Sequence, residues 1–149
     1  MIFFLRPPTD FKPAFHAVGC FCLLDQKILL LLRQSGRPQP NTWGMPAGKV
    51  KPGECLLPAM QRELMEETGI ETDIEQLVYF NTLYVRFQDP EPKLNFVYHT
   101  YSLNLKVRPT VIINPREHQQ FGWFKPRQAL ELELIPVLSD LIKIYFYPI

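Results

Sequence analysis

A chain of 149 residues that is 46% apolar has enough hydrophobic side chains for one folded domain and too many for a disordered segment. Its 16 basic and 15 acidic residues leave a net charge of +1, which gives no basic footprint for a nucleic-acid duplex or a membrane surface. A small anionic ligand stays compatible, because local charge acts where the total does not.

The opening MIFFLRPPTDFKP carries an apolar run of only four residues after Met1, with no basic stretch ahead of it. Neither a signal peptide nor a membrane span is expected there, and KILLLLR is too short to cross a bilayer. AFHAVGCFCLLD reads as a strand. Asp25 and Gln26 turn it into a second strand, KILLLLR, whose continuous apolar run suits burial on both faces. Cys20 and Cys22 alternate in the first strand and should share one face as small buried hydrophobes. With Cys55 they make three cysteines, a count that fits a reducing cytoplasm.

QSGRPQPNTWGMPAGKVKPGE follows, dense in glycine and proline. Its breakers exclude a long element, and long loops in compact domains are usually functional. A helix is expected from about Gly53 or Glu54, with Pro58 tolerated only near its start and Gly69 ending it in a left-handed conformation. Two strands come next, EQLVYFNTLYVRF and NFVYHTYSLNLKV, joined by the polar turn QDPEPKL. QFGWF is a short strand and PRQAL a small helix. IPVLSDLIKIYF is a final amphipathic helix with Pro136 in its first turn. This order predicts an α/β fold of the α+β kind, a mixed β-sheet sandwiched between α-helices, as one domain over 1–149. The apolar ending IKIYFYPI would suit either a homodimer seam or a cap on the sheet.

The expected helix contains RELMEETG. At 100° per residue Glu63, Glu66 and Glu67 share an arc of about 100°, beside an apolar stripe of Leu57, Met60 and Leu64. Like charges so placed repel by a few tenths of a kcal/mol per pair. Taken alone, the run reads as a solvated acidic face. The alternative is a hard cation such as Mg²⁺, which takes carboxylates, waters and substrate phosphate as oxygen ligands. Arg62 lies four residues before Glu66 and can pair with it, or lean toward an acid in the preceding loop.

From Gly48 the chain reads GKVKPGECLLPAMQRELMEETGI. Gly48, Glu54, Arg62, Glu63, Leu64, Glu66, Glu67, Gly69 and Ile70 occupy all nine constrained positions of the pattern G-x5-E-x7-R-E-U-x-E-E-x-G-U, where U is bulky and apolar. The stretch resembles the Nudix box, and WGMPAG resembles the approach to it, with Ala47 where the family more often has glycine.

The resemblance implies the Nudix fold and hydrolysis of a diphosphate linked to another moiety. By it, Glu63, Glu66 and Glu67 hold Mg²⁺ (or Mn²⁺), with the Ala47 carbonyl as a further ligand. Arg62 positions a box glutamate by ion pairing. Glu54 contributes a metal contact or fixes the loop against the helix. Glu63 or a downstream acid orients or deprotonates the attacking water. In NPREHQQFGWF the candidate acid is Glu117, with His118 beside it as an alternative base, although a plain surface loop reads equally well. Gly44 and Gly48 would let backbone approach the ligand. His16 and His99 read as structural.

Substrate contacts must come from outside the box. Arg33 and Arg37 flank the loop and could meet phosphates. Trp43, Tyr84, Phe87 and Phe96 could stack on a base, and each could equally fill a core. Arg86 stands where ADP-ribose hydrolases often carry proline, and Tyr84 lies near the tyrosine of dinucleoside polyphosphate hydrolases. The coenzyme A pattern matches loosely and the NADH-cleaving tail motif is missing. The expected substrate is a nucleoside triphosphate or nucleotide sugar. ADP-ribose, a dinucleoside polyphosphate and a non-catalytic nucleotide sensor are the alternatives.

Overall fold

The computed structural model describes residues 1–87 and 94–148. Its strands are β1 (Ile2–Phe4), β2 (Phe15–Leu24), β3 (Lys27–Arg33), β4 (Trp43–Gly44), β5 (Ala47–Lys49), β6 (Leu77–Phe87), β7 (Leu94–Asn104) and β8 (His118–Phe124). Its helices are α1 (Leu56–Thr68), α2 (Pro126–Ala129) and α3 (Leu138–Phe146). The strands form one eight-stranded mixed sheet in the order β1-β6-β7-β2-β3-β4, with β5 paired to β2 and β8 to β3. Strand β7 runs parallel to β2 and antiparallel to β6. Most of the expected turn between β6 and β7, residues 88–93, lies outside the described residues.

The β2–β3 hairpin turns on Asp25 and Gln26, at φ 50° and 63°, the doubly left-handed geometry whose twist matches that of the strands. Ile28, Leu29, Leu30 and Leu31 of β3 are all fully buried, as the continuous apolar run predicts. They alternate between two cores. Leu29 and Leu31 join Val18, Cys20 and Cys22 under Met60 and Leu64 of α1. Ile28 and Leu30 join Phe21 under Leu138, Leu141 and Ile142 of α3. Each such aliphatic side chain contributes about 1.5–3 kcal/mol of burial, so β3 clamps both helical layers to the sheet. The aromatic tail also covers the sheet: Tyr145 and Phe146 lie 5.2 and 5.7 Å from Phe21 between ring centroids.

The sequence does not predict the short strands β1, β4 and β5, and the boundaries of other elements differ from its reading at several points: β7, for one, ends at Asn104, short of Val107. Helix α1 starts at Leu56 with Cys55 as N-cap, because residues 51–54 close a turn first: the Glu54 amide donates to the Lys51 carbonyl at 3.0 Å. Pro58 then falls in the first turn, where its missing N–H breaks no intrahelical bond. Pro136 precedes α3 instead of sitting in its first turn. The Ile135 amide donates to the Trp43 carbonyl and the Trp43 amide to the Glu133 carbonyl, which holds this chain extended up to the proline. The helix begins only after Val137, which sits at φ 79°. Finally, Ile74–Gln76 form a 3₁₀ turn where Glu75 and Gln76 read as strand, since the Gln76 side chain accepts the Asp73 amide.

Gly69 ends α1 at φ 73°, with its amide on the Met65 carbonyl. Among the described residues, no helix is long and apolar enough to cross a membrane.

Candidate active site

Helix α1 presents its carboxylates along the edge that faces β5 and the loop before β8. Arg62 is the hub. Its Nε and Nη2 donate to the two Glu54 oxygens at 2.8 and 2.9 Å, a planar fork on a planar carboxylate. Its Nη1 donates to Glu63 Oε1 at 2.8 Å and reaches Glu66 at 3.2 Å, while Nη2 also donates to the Lys49 carbonyl at 3.1 Å. Both partners envisaged for Arg62, Glu66 and a loop acid, are therefore engaged at once. The fork, and then the Lys51 amide, bring Glu54 down to about 2.

Glu63 and Glu67 are buried, whereas the Glu66 side chain is half exposed. The Glu63 carboxyl lies directly over Gly48, and a Cβ on that residue would occupy the same space. This is the close backbone approach for which a glycine is required. Burial pushes Glu63 up, against the pull of Arg62. Glu67 is raised further. Burial is the main cause, and the neighbouring charges of Glu63 and Glu117 add to it, against a bond from the Ala47 amide to Oε1 at 2.6 Å. It is thus the amide of Ala47 that touches a box glutamate. Ala47 of β5 pairs with Gly19 of β2 and does not sit at positive φ, so its backbone does not require the glycine that the family favours.

The loop before β8 brings Glu117 and His118 to the same place. The Glu117 and His118 amides both donate to the Asn114 carbonyl, at 3.0 and 2.9 Å, and the Gln34 amide donates to the Glu117 carbonyl at 2.9 Å. Ligand atoms of Glu67, Glu117 and His118 all lie within 4.8 Å of one another. Arg37 pairs with Glu117 at 3.4 Å. His118 is buried, its Nδ1 has no hydrogen-bond partner among the described residues, and its Nε2 is 3.9 Å from Glu67 Oε2. Burial, then Arg33 and Arg37, lower it to about 4, so the ring is neutral at pH 7.

A cavity of about 280 Å³ opens beside Ala47 and Gly48, and Arg33, Phe96, Phe15, Phe87 and Tyr98 help to line it. Phe96 stacks on Phe15 at 5.0 Å with the ring planes 6° apart. Of the residues expected at the substrate, Arg33, Gly48, Phe87 and Phe96 line this space, whereas Arg37 lies against Glu117. Trp43 and Tyr84 do not: Trp43 packs edge-on to Phe124, and Tyr84 edge-on to Phe11. Phe15 and Tyr98 were not expected. The signal that finds them is the parallel register of β2 and β7, which sets Phe15 opposite Phe96. His16 and His99 bond each other, Nδ1 to Nε2, at 2.9 Å.

A mixed sheet between helices, with a carboxylate-bearing helix at its edge, is the architecture expected from the box that spans Gly48 to Ile70. The NUDIX domain family model matches residues 14–143, and the chain belongs to that family as a Nudix hydrolase. It is 30% identical over 121 residues to the CTP pyrophosphohydrolase of Escherichia coli K12, spanning 81% of this chain and 83% of that protein. It is 38% identical over 67 residues to human 8-oxo-dGDP phosphatase NUDT18, which covers 45% of this chain and 21% of that protein. Among solved structures, the MutT Nudix hydrolase of Burkholderia pseudomallei superposes with a TM-score of 0.74 at 25% identity, covering 89% and 97% of the two chains. The E. coli ORF135 protein superposes at 0.70 with 28% identity, covering 94% and 93%.

Proposed function

We propose that this chain is a divalent-cation-dependent pyrophosphohydrolase of nucleoside triphosphates. The observation that carries the reading is the convergence of Glu67, Glu117 and His118 within 4.8 Å of one another, beside a cavity walled by stacked aromatic rings. The donor set fits a cation. Glu67 is buried with its carboxyl pushed up, next to Glu63 and Glu117, and a positive charge among the three relieves their mutual repulsion. Glu63, Glu66, Glu67 and Glu117 would hold Mg²⁺ or Mn²⁺. The cation supplies charge neutralisation of the diphosphate and a more nucleophilic water.

The protein's own groups then position and shield. Arg62 holds Glu63 and ties the Glu54 turn to α1, so the acid cluster has one geometry. Glu63 or Glu117 takes the proton of the attacking water at a carboxylate oxygen. Arg33 lines the cavity and lies within electrostatic reach of Glu67 and Glu117, which suits a phosphate bridging the two spaces. Phe96 offers a stacking face for the base.

The similarity to CTP pyrophosphohydrolase over four-fifths of both chains favours a nucleoside triphosphate over a nucleotide sugar. A hydrolysis screen over CTP, the other nucleoside triphosphates, 8-oxo-dGTP, nucleotide sugars, ADP-ribose and dinucleoside polyphosphates tests this. Release of diphosphate from a triphosphate is expected. Turnover of ADP-ribose or of a dinucleoside polyphosphate alone would replace the substrate, and ligand binding with no product would make the chain a sensor.

A further inference from the structure

His118 differs from the other groups at the site because it brings nitrogen. A buried histidine normally satisfies both ring nitrogens. Here Nδ1 is buried with no partner among the described residues, and Nε2 faces Glu67 Oε2 at 3.9 Å, beyond hydrogen-bonding length. The ring is held in place by its backbone, since the His118 amide is bonded to the Asn114 carbonyl and its carbonyl accepts from the Gln34 side chain at 3.2 Å. At that distance a hydrogen-bonded ion pair with Glu67 does not account for the arrangement.

The spacing does suit an intervening ion. Two donors about 2.1 Å from one octahedral ion lie about 3 Å apart when adjacent and about 4.2 Å apart when opposite. The 3.9 Å gap, and the 4.8 Å limit on the whole group, lie within or close to that span. The carboxylates of Glu67 and Glu117 alone would make an oxygen-only set, for which magnesium is suited. An imidazole nitrogen adds affinity for first-row d-block ions and little for magnesium.

We propose that His118 joins Glu67 and Glu117 as a direct ligand of the bound cation, and that this mixed nitrogen and oxygen set selects Mn²⁺ over Mg²⁺. The proposal rests on the cation site put forward above and deepens it. It also removes His118 from the role of general base, because the lone pair facing Glu67 is occupied, and leaves proton transfer to the acids.

Pulsed electron paramagnetic resonance on tag-free protein loaded with one equivalent of Mn²⁺, without substrate, tests the proposal apart from activity. The wild-type spectrum should show ¹⁴N modulation. His118→Gln should lose it, and its ratio of Mn²⁺ to Mg²⁺ affinity should fall at least tenfold by calorimetry. His16→Gln should keep the modulation. Stoichiometric Mn²⁺ with no ¹⁴N coupling in the wild type would overturn the His118 assignment and leave the carboxylate site standing. Coupling that persists in His118→Gln would do the same. Absence of any bound Mn²⁺ would overturn the cation site itself. The wild-type spectrum alone decides the central point if the variant fails to fold.

Discussion

The guanidinium of Arg62 grips the carboxylate of Glu54 through two parallel bonds, Nε to Oε2 at 2.8 Å and Nη2 to Oε1 at 2.9 Å, and with its remaining nitrogen holds Glu63. The turn before α1 and the acid on α1 are thus fixed by one side chain. Lysine has a single ammonium and cannot reproduce the fork. Arg62→Lys should lower kcat/KM by roughly 10- to 100-fold, the usual cost of losing a group that orients a metal ligand. Steady-state kinetics at saturating cation checks this, and the Glu54→Gln variant should fall in the same range.

Gly48 has no room for a side chain because the Glu63 carboxyl lies over it. Gly48→Ala should displace Glu63 and break its bond to Arg62. Overpacking of this kind costs about 1–3 kcal/mol. Activity should fall far more than the melting temperature does, which paired kinetic and calorimetric measurements would reveal.

Glu67 sets activity and stability against each other. Its carboxyl is raised by burial first and by Glu63 and Glu117 second. An acid whose folded value exceeds the unfolded one favours the fold when protonated. Its contribution is therefore full below about 4.5 and declines as pH rises through the folded value. Without divalent cations, wild-type stability should drop over that interval relative to Glu67→Gln, and at pH 7 the variant should melt higher. Saturating Mn²⁺ should reverse the order, since a ligand at 100 times its Kd adds about 2.7 kcal/mol. Melting curves from pH 4 to 8, with chelator and with Mn²⁺, read both effects.

Phe96 stacks on Phe15 at the wall of the cavity. Phe96→Ala should raise KM for the nucleotide by roughly 2- to 12-fold, from a lost stacking energy of about 0.5–1.5 kcal/mol, while kcat changes by no more than about twofold. A change confined to kcat would remove the ring from the base site.

Much of the carboxylate edge was legible in the sequence because a helix is local. Spacing alone put Glu63, Glu66 and Glu67 on one arc and Leu57, Met60 and Leu64 beside it, and Met60 and Leu64 are fully buried against the sheet. The long-range parts were not legible to the same degree. Nothing near Glu117 in sequence distinguishes an inward acid from a surface loop, and its position depends on the Asn114 turn and on Gln34, just past the end of β3. Aromatic residues are ambiguous for a similar reason. Trp43, Tyr84 and Phe96 have comparable surfaces, and only the order of strands decides which of them meets the cavity. Ala47 shows the converse: the departure from the family pattern falls in extended strand, a conformation that alanine adopts without strain.

The most direct test is turnover of a nucleoside triphosphate with Mn²⁺ or Mg²⁺ by the wild type and by Glu67→Gln, with circular dichroism confirming that both are folded. Cation-dependent release of diphosphate by the wild type, lowered by about 10³-fold or more in kcat for the variant, is the expected result. Equal turnover by the two proteins, or turnover by the wild type that survives a chelator, would contradict the account.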